Sequence, residues 1–349
     1  MTTSTPATRS APTPPPARPR TVRRVLVVAN AYPDADRPGY GAYVHTAVRG
    51  LRAAGLDVDV LAVRGYRGKQ EYVRGLRDVL ALNARPRGYD VVHAYYGLMG
   101  MVARLQVRLP LVITFTGGDI QGDRDEQGRP VRSSLLKARA YLETARLAAA
   151  TTTQTEAMAA LLPRAARARN RVINVGVDLS AFGRLTREQA RAQLGWPAGE
   201  RTVIFVADPS RQVKNFPLAE AAVLRLQRDR PDVRLRVAGD IGHAEVPTWM
   251  AAADALLLTS RSEGSPNVVK EAMAAALPAV STPVGDVPEL FAGVPGCFVR
   301  DPDPEALAGG LAAALDHGPA PAARAAIAPL ALERYTEQVI DVYEQVARR

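Results

Sequence analysis

Residues 256–273 read L-L-L-T-S-R-S-E-G-S-P-N-V-V-K-E-A-M, and the division of this stretch into elements decides the fold. Leu256 to Thr259 is a short apolar run of the buried-strand type, followed by a polar loop and a helical pattern. Ser265 before Pro266 is a helix-start signal, predicting Ser265 as the cap and Pro266 at the first helical position. The run V-V-K-E-A-M-A-A-A-L that follows is apolar on nearly every face, which predicts a helix buried against a sheet. One carboxylate inside it, Glu271, lies four residues after Asn267 and so on the same face. An ionised carboxylate there is costly unless several donors surround it, and sugar hydroxyls are suitable donors. The helix start offers unpaired N–H groups and a positive dipole end, suited to a phosphate or pyrophosphate. With Glu263 in the loop, these features predict a nucleotide-sugar site. Surface charges on an ordinary strand–loop–helix unit are the bland alternative.

Outward from this stretch, strands and helices alternate in both directions. Arg24 to Asn30 is a short apolar strand, followed by a loop, a helical pattern from about Ala42 to Ala54, and the strand D-V-D-V-L-A-V. Such a unit builds parallel sheets. Gly39 and Gly41, just before the helix, permit close backbone approach by a ligand, although a plain tight turn explains them equally well. Residues 88–99 and Leu111 to Asp119 supply two further strands, the second ending in Gly117, Gly118 and Asp119. His93 suits a satisfied core histidine. The polar run from Asp119 to Arg132 reads as a mobile loop, and a long helical pattern follows to about Ala149. The alternation restarts with R-T-V-I-F-V-A-D, then P-S-R-Q-V-K-N-F-P, a helix, and V-R-L-R-V-A-G-D. Asp303, before Pro304 and Glu305, is read as a helix cap rather than as part of a metal motif.

The twelve residues E-G-S-P-N-V-V-K-E-A-M-A, Glu263 to Ala274, closely resemble the E-x(7)-E signature of the retaining glycosyltransferase family 4. The resemblance implies an α/β chain of GT-B fold, two Rossmann-like domains facing one another across a cleft. It also extends to D-V-V-H at 90–93, to the junction R-V-I-N-V-G-V-D-L-S-A-F at 171–182 and to the last helix. That helix closes such chains by packing back on the first domain. The divisions implied are a Pro-rich tail (1–21), an acceptor domain (22–178), a nucleotide-sugar domain (179–330) and a closing helix (331–349).

What the family does then sets the expected roles. A sugar passes from a nucleoside diphosphate sugar to an acceptor hydroxyl on a glycan, glycolipid or natural product, with retention of configuration and without a metal or other cofactor. Lys214 and Arg211 correspond to the basic pair that grips the diphosphate. Either could instead be a solvated loop charge. Glu263 corresponds to the residue holding the donor sugar, and Glu271 to the one holding the ribose. Gly264, Ser265, Pro266, Asn267 and Val268 line the donor side, and Gly39, Gly41, Thr116 and Gly117 the acceptor side. Relatives place a histidine where this chain has Thr116, so Asp119 becomes the acceptor-side candidate for catalysis. Between Gly239 and Leu256 an extra strand and helix are shortened, which leaves the nucleobase open. Two rivals are a nucleotide-sugar epimerase of the same fold and a non-catalytic protein that binds nucleotide sugars or polyanions.

Composition narrows the alternatives. A length of 349 residues favours two domains, and a hydrophobic content of 47% fits a globular chain. One cysteine, Cys297, excludes an intramolecular disulfide and a Cys-rich zinc site. No apolar run approaches the roughly twenty residues that span a bilayer. The first twenty residues lack the apolar centre of a signal peptide and read as disordered, so a cytoplasmic location is expected. The net charge is +10, with arginines gathered at 64–87 and 164–171. Surface solvation explains them, and so does peripheral contact with an anionic membrane at its inner face. Nucleic acid is not expected as a partner, because neither cluster interleaves aromatic residues with base-reading side chains.

Overall fold

The computed structural model describes residues 20–84, 88–122, 129, 131–239 and 241–348. The tail, apart from its last two residues, and half of the polar run 119–132 lie outside the described residues. Two separate parallel sheets organise the remainder. The first contains β1 (Arg24–Ala29), β2 (Asp57–Ala62), β3 (Val91–Tyr95), β4 (Leu111–Thr114), β5 (Ala150–Thr153) and β6 (Asn170–Val172), in the order β2-β1-β3-β4-β5-β6. The second contains β7 (Arg201–Phe205), β8 (Val233–Val237), β9 (Ala255–Leu258), β10 (Ala279–Ser281) and β11 (Cys297–Val299), in the order β11-β10-β9-β7-β8. Every residue of β3 and β9 is buried, as expected for parallel strands covered by helices on both faces.

Both strand orders reverse once, between β1 and β3 and between β7 and β9. Open α/β sheets bind ligands beyond the strand ends at that point. The loops there are residues 30–41 and 96–97 in the first sheet and 206–215 and 259–266 in the second.

The chain crosses between the sheets twice, and the crossings run side by side. Val177 N–H donates to Leu330 O at 2.9 Å, and Leu332 N–H donates to Val177 O at 2.9 Å. The last helix, Leu332–Ala347, then joins the core of the first sheet through Tyr335, Val339, Tyr343 and Val346. Its amphipathic pattern accounts for this: residues at three- and four-residue spacing form one apolar stripe. Polar stitches accompany the packing. His93 lies fully buried, with Nδ1 2.6 Å from Tyr343 Oη and Nε2 2.7 Å from Thr114 Oγ1. Burial pushes its pKa down to about 3, so the ring is neutral and structural. Asp303 caps helix Pro304–His317, its Oδ2 accepting from Ala306 N–H at 2.9 Å. Among the described residues no helix is long and apolar enough to cross a membrane.

One local expectation is corrected. The signature helix runs Asn267–Ala274, with Pro266 at the cap position and no side-chain cap. Ser265 turns elsewhere: its Oγ donates toward Asn174 Oδ1 and Asp286 Oδ2, at 2.9 and 2.8 Å. Tertiary partners thus outcompete the local cap geometry.

Candidate active site

The loop after β4 meets the loops after β9 and β10 across the cleft on a stack of glycines. A Cβ added to Gly264 would lie 2.8 Å from Thr116 O and 3.0 Å from Gly117 Cα. One added to Gly285 would lie 2.6 Å from Gly264 O. Gly117 and Gly285 also adopt φ values of 119° and 56°, where side chains are disfavoured. Three residues without side chains therefore let backbone touch backbone where the domains close. Gly39 does the same further along, its missing Cβ 3.1 Å from Ile241 O. Gly41 acts locally instead. Its φ of 76° starts helix Ala42–Ala53, and a Cβ there would strike Ala31.

At the second switch point the loops after β7 and β9 are laced together. Thr259 Oγ1 donates to the carbonyls of Lys214 and Asn215, each at 3.0 Å, and Arg261 N–H to Val213 O at 2.8 Å. This lacing brings Lys214 Nζ to 2.5 Å from Glu263 Oε1, which also accepts from Ser260 Oγ at 2.7 Å. Both charged side chains are largely shielded, at 14% and 18% exposure. Arg211, three residues earlier, is exposed and forms no ion pair among the described residues. The structure thus joins Lys214, but not Arg211, to the signature loop.

The start of helix Asn267–Ala274 faces the same region. Asn267 Oδ1 is buried and without a hydrogen-bond partner, while Val268 is half-buried against the domain core. Glu271 is buried, and burial pushes its pKa up while His243 and Lys270 pull it down. His243 Nδ1 stands 3.7 Å from Glu271 Oε1, and its Nε2 is 3.4 Å from Thr46 Oγ1 of the first domain. His243 belongs to the shortened segment after β8, which among the described residues holds helix Val246–Ala252 and no strand.

Asp119 is placed differently from its expected role. It is 1% exposed, and both carboxylate oxygens serve the backbone. Oδ2 accepts from Gly97 N–H at 2.9 Å, and Oδ1 from Thr116 and Gly117 N–H at 3.0 and 2.9 Å. Burial pushes its pKa up to about 6, against the downward pull of these donors. Asp119 therefore shapes the Thr116–Gly117 loop that touches Gly264, with its carboxylate turned onto the backbone.

Besides His243, four residues of the site escaped the sequence reading of roles. Lys270 is 1% exposed and donates to Asn174 Oδ1 at 2.8 Å and Val175 O at 3.0 Å. Asn174 Nδ2 in turn donates to Asp286 Oδ2 at 2.6 Å. This network pins the interdomain linker to the signature helix. Burial lowers the Lys270 pKa to about 8, partly offset by Asp286 and Glu271. The fourth, Gln154 at the end of β5, is 5% exposed with Oε1 unpartnered, near where a Gly264 Cβ would stand. A lysine within an otherwise apolar helix was the one signal available for this network.

Two Rossmann-like domains whose strand ends face one cleft, with a cation–carboxylate pair at the switch point, define the GT-B class. Residues 38–177 match the family described as glycosyl transferase 4-like domain, and residues 225–317 the one described as glycosyl transferases group 1. The chain belongs to these family 4-type, group 1 glycosyltransferases. It is 23% identical to TuaC of Bacillus subtilis, named as a teichuronic acid biosynthesis glycosyltransferase, over 82% of this chain and 87% of that one. It is 30% identical to the D-inositol 3-phosphate glycosyltransferase of Mycolicibacterium smegmatis, over 69% of this chain and 63% of that one. In fold it is similar to sucrose-phosphate synthase from Thermosynechococcus elongatus, with TM-score 0.73, 21% identity and coverage of 93% and 99%. The Anabaena protein HepE in complex with UDP and glucose gives TM-score 0.64, 17% identity and coverage of 91% and 98%.

Proposed function

We propose that the protein transfers a sugar from a nucleoside diphosphate sugar to an acceptor hydroxyl, with retention of anomeric configuration and no metal ion or other cofactor. The observation that carries this reading is the shielded Lys214–Glu263 pair at 2.5 Å, beside the start of the signature helix at the switch point. The pair has complementary needs that a donor meets. A diphosphate satisfies the ammonium, and sugar hydroxyls satisfy the carboxylate. The structures of HepE with UDP and with UDP-glucose support this donor class.

In this reading Lys214 and the N–H groups of Asn267 and Val268 stabilise charge that grows on the leaving diphosphate, the role a metal plays elsewhere. Arg211 is a peripheral contributor. Glu263 orients the anomeric carbon through the sugar hydroxyls, and Glu271 holds the ribose. The bond from the anomeric carbon to the phosphate oxygen breaks, and the acceptor oxygen bonds on the same face. The acceptor proton passes to the departing phosphate oxygen. The acceptor is a glycan, a lipid-linked sugar or a small natural product.

A thermal-shift screen with UDP, GDP, ADP and TDP tests the donor class. The matching nucleotide, at about 100 times its Kd, should stabilise the fold by about 2.7 kcal/mol. No response to any of the four would contradict it. NMR of the glycoside product tests retention, and an inverted linkage would overturn the mechanism.

A further inference from the structure

The helical layer on one face of the first sheet carries a surface that the cleft chemistry does not use. Helices Lys69–Ala81, Gly97–Ala103 and Arg132–Ala145 pack side by side there. The segment after the second helix is tied to the end of the first, since Asn83 Nδ2 donates to Leu105 O at 2.9 Å and Val107 N–H to Asn83 Oδ1 at 2.8 Å. Segments 69–84, 97–109 and 131–147 hold nine Lys or Arg and three Asp or Glu. That surplus of six accounts for more than half of the net charge of +10. Two of the acids are already matched, Glu71 with Arg74 and Glu143 with Arg146. Lys69, Arg77, Lys137 and Arg139 are exposed, with no carboxylate partner among the described residues.

The same segments carry eight of the eleven exposed large apolar side chains among the described residues. Val73, Val107 and Leu136 are 67%, 69% and 70% exposed, and Leu80 and Leu105 are exposed as well. Single exposed leucines are ordinary, but this concentration on one face is not.

We propose that this face docks on the surface of an anionic lipid membrane. Charge complementarity and the aliphatic side chains select that occupant together. Arginine and lysine heads seek lipid phosphates, while valine and leucine enter the acyl boundary just beneath. A second copy of the chain would bring the same positive charge against it. A soluble polyanion would leave the aliphatic side chains in water, and a nucleic acid would find no exposed aromatic ring for its bases in these segments. Each of these helices follows a strand of the parallel sheet, so its N-terminal end lies at the cleft edge. Docking therefore holds the cleft mouth beside the membrane, where a lipid-linked acceptor is reached without leaving the bilayer. The last point rests on the proposed transfer reaction, but the docking itself does not.

Sedimentation of the full chain with phosphatidylcholine vesicles, with and without phosphatidylglycerol, tests it. The protein should pellet with the phosphatidylglycerol vesicles and less so as salt rises. The double variant Arg77→Glu with Arg139→Glu should lower partitioning by about 30-fold or more, with circular dichroism unchanged. Leu136→Ser with Val107→Ser, also on the exposed face, should weaken the binding that survives at high salt. Absence of pelleting, equal pelleting with both vesicles, or heparin binding without vesicle binding would overturn the proposal. So would a dimer in light scattering that Leu136→Ser disperses.

Discussion

Replacing Gly264 by alanine adds one methyl group at the point where the two domains touch. Gly264 is not among the positive-φ residues, so its backbone accepts alanine without strain. The new Cβ would lie 2.8 Å from Thr116 O and 3.0 Å from Gly117 Cα, both backbone atoms that cannot swing aside. Ordinary contact begins near 3.4 Å, so the loops must separate by about 0.6 Å. Relief comes from parting the domains, and the cores of the two sheets stay intact. Thermal stability should therefore change little. Turnover should fall by about ten- to 100-fold, because the donor and acceptor sides lose register by a substantial fraction of an ångström. The assay is release of nucleoside diphosphate from the donor identified by the nucleotide screen, alongside a thermal melt. Gly118→Ala is the control: a Cβ there meets nothing within 4 Å, so turnover should be unaffected. Parental turnover in Gly264→Ala would refute the idea that contact between these loops is part of the working geometry.

Asp119 binds three backbone N–H groups as a carboxylate, so turnover should fall as pH drops through about 6, and Asp119→Asn should remove that step. Its folded pKa lies above the ordinary 3.8, so folding takes up a proton between those values. Its contribution to stability is therefore greatest near the lower end and declines as pH rises through about 6, which urea melts of parent and variant would reveal. Lys270→Met leaves the Val175 carbonyl without its donor and should cost about 1–3 kcal/mol in urea unfolding. A gain in stability would mean that the cost of burying the ammonium exceeds its hydrogen bonds. Turnover should survive EDTA. Complete loss, with rescue by Mn²⁺, would transfer the role of Lys214 to a metal.

Much of the fold is legible in short segments. The strands Arg24–Ala29 and Ala255–Leu258 stand out because parallel strands buried on both faces must be apolar throughout. The spacing of Glu263 and Glu271 is likewise plain, since it needs only a loop and a helix. What stays hidden depends on distant partners. Ser265 looks like a helix cap until Asn174 and Asp286, far away in sequence, are seen to take its hydroxyl. Asp119 looks like an acid facing a ligand, yet the chain folds its own amides onto it. Gln154 carries no local pattern and Lys270 only its charge within an apolar helix, because their surroundings exist only once the linker and both sheets are assembled. The surface proposed for docking was visible only as excess arginine, since the exposure of its leucines is a property of the packed layer.

The claim at the centre of the account is that Lys214 meets the leaving diphosphate while Glu271 meets the ribose. Steady-state kinetics of Lys214→Ala and Glu271→Gln on one donor separate the two roles, provided circular dichroism shows both variants folded. Lys214→Ala should lower turnover by about 10²- to 10³-fold, because its contact strengthens as the leaving group gains charge. Glu271→Gln should chiefly raise the KM for the donor, since the ribose takes no part in bond breaking. A Lys214→Ala enzyme with near-parental turnover would contradict the account, and Arg211 would then be the group to test.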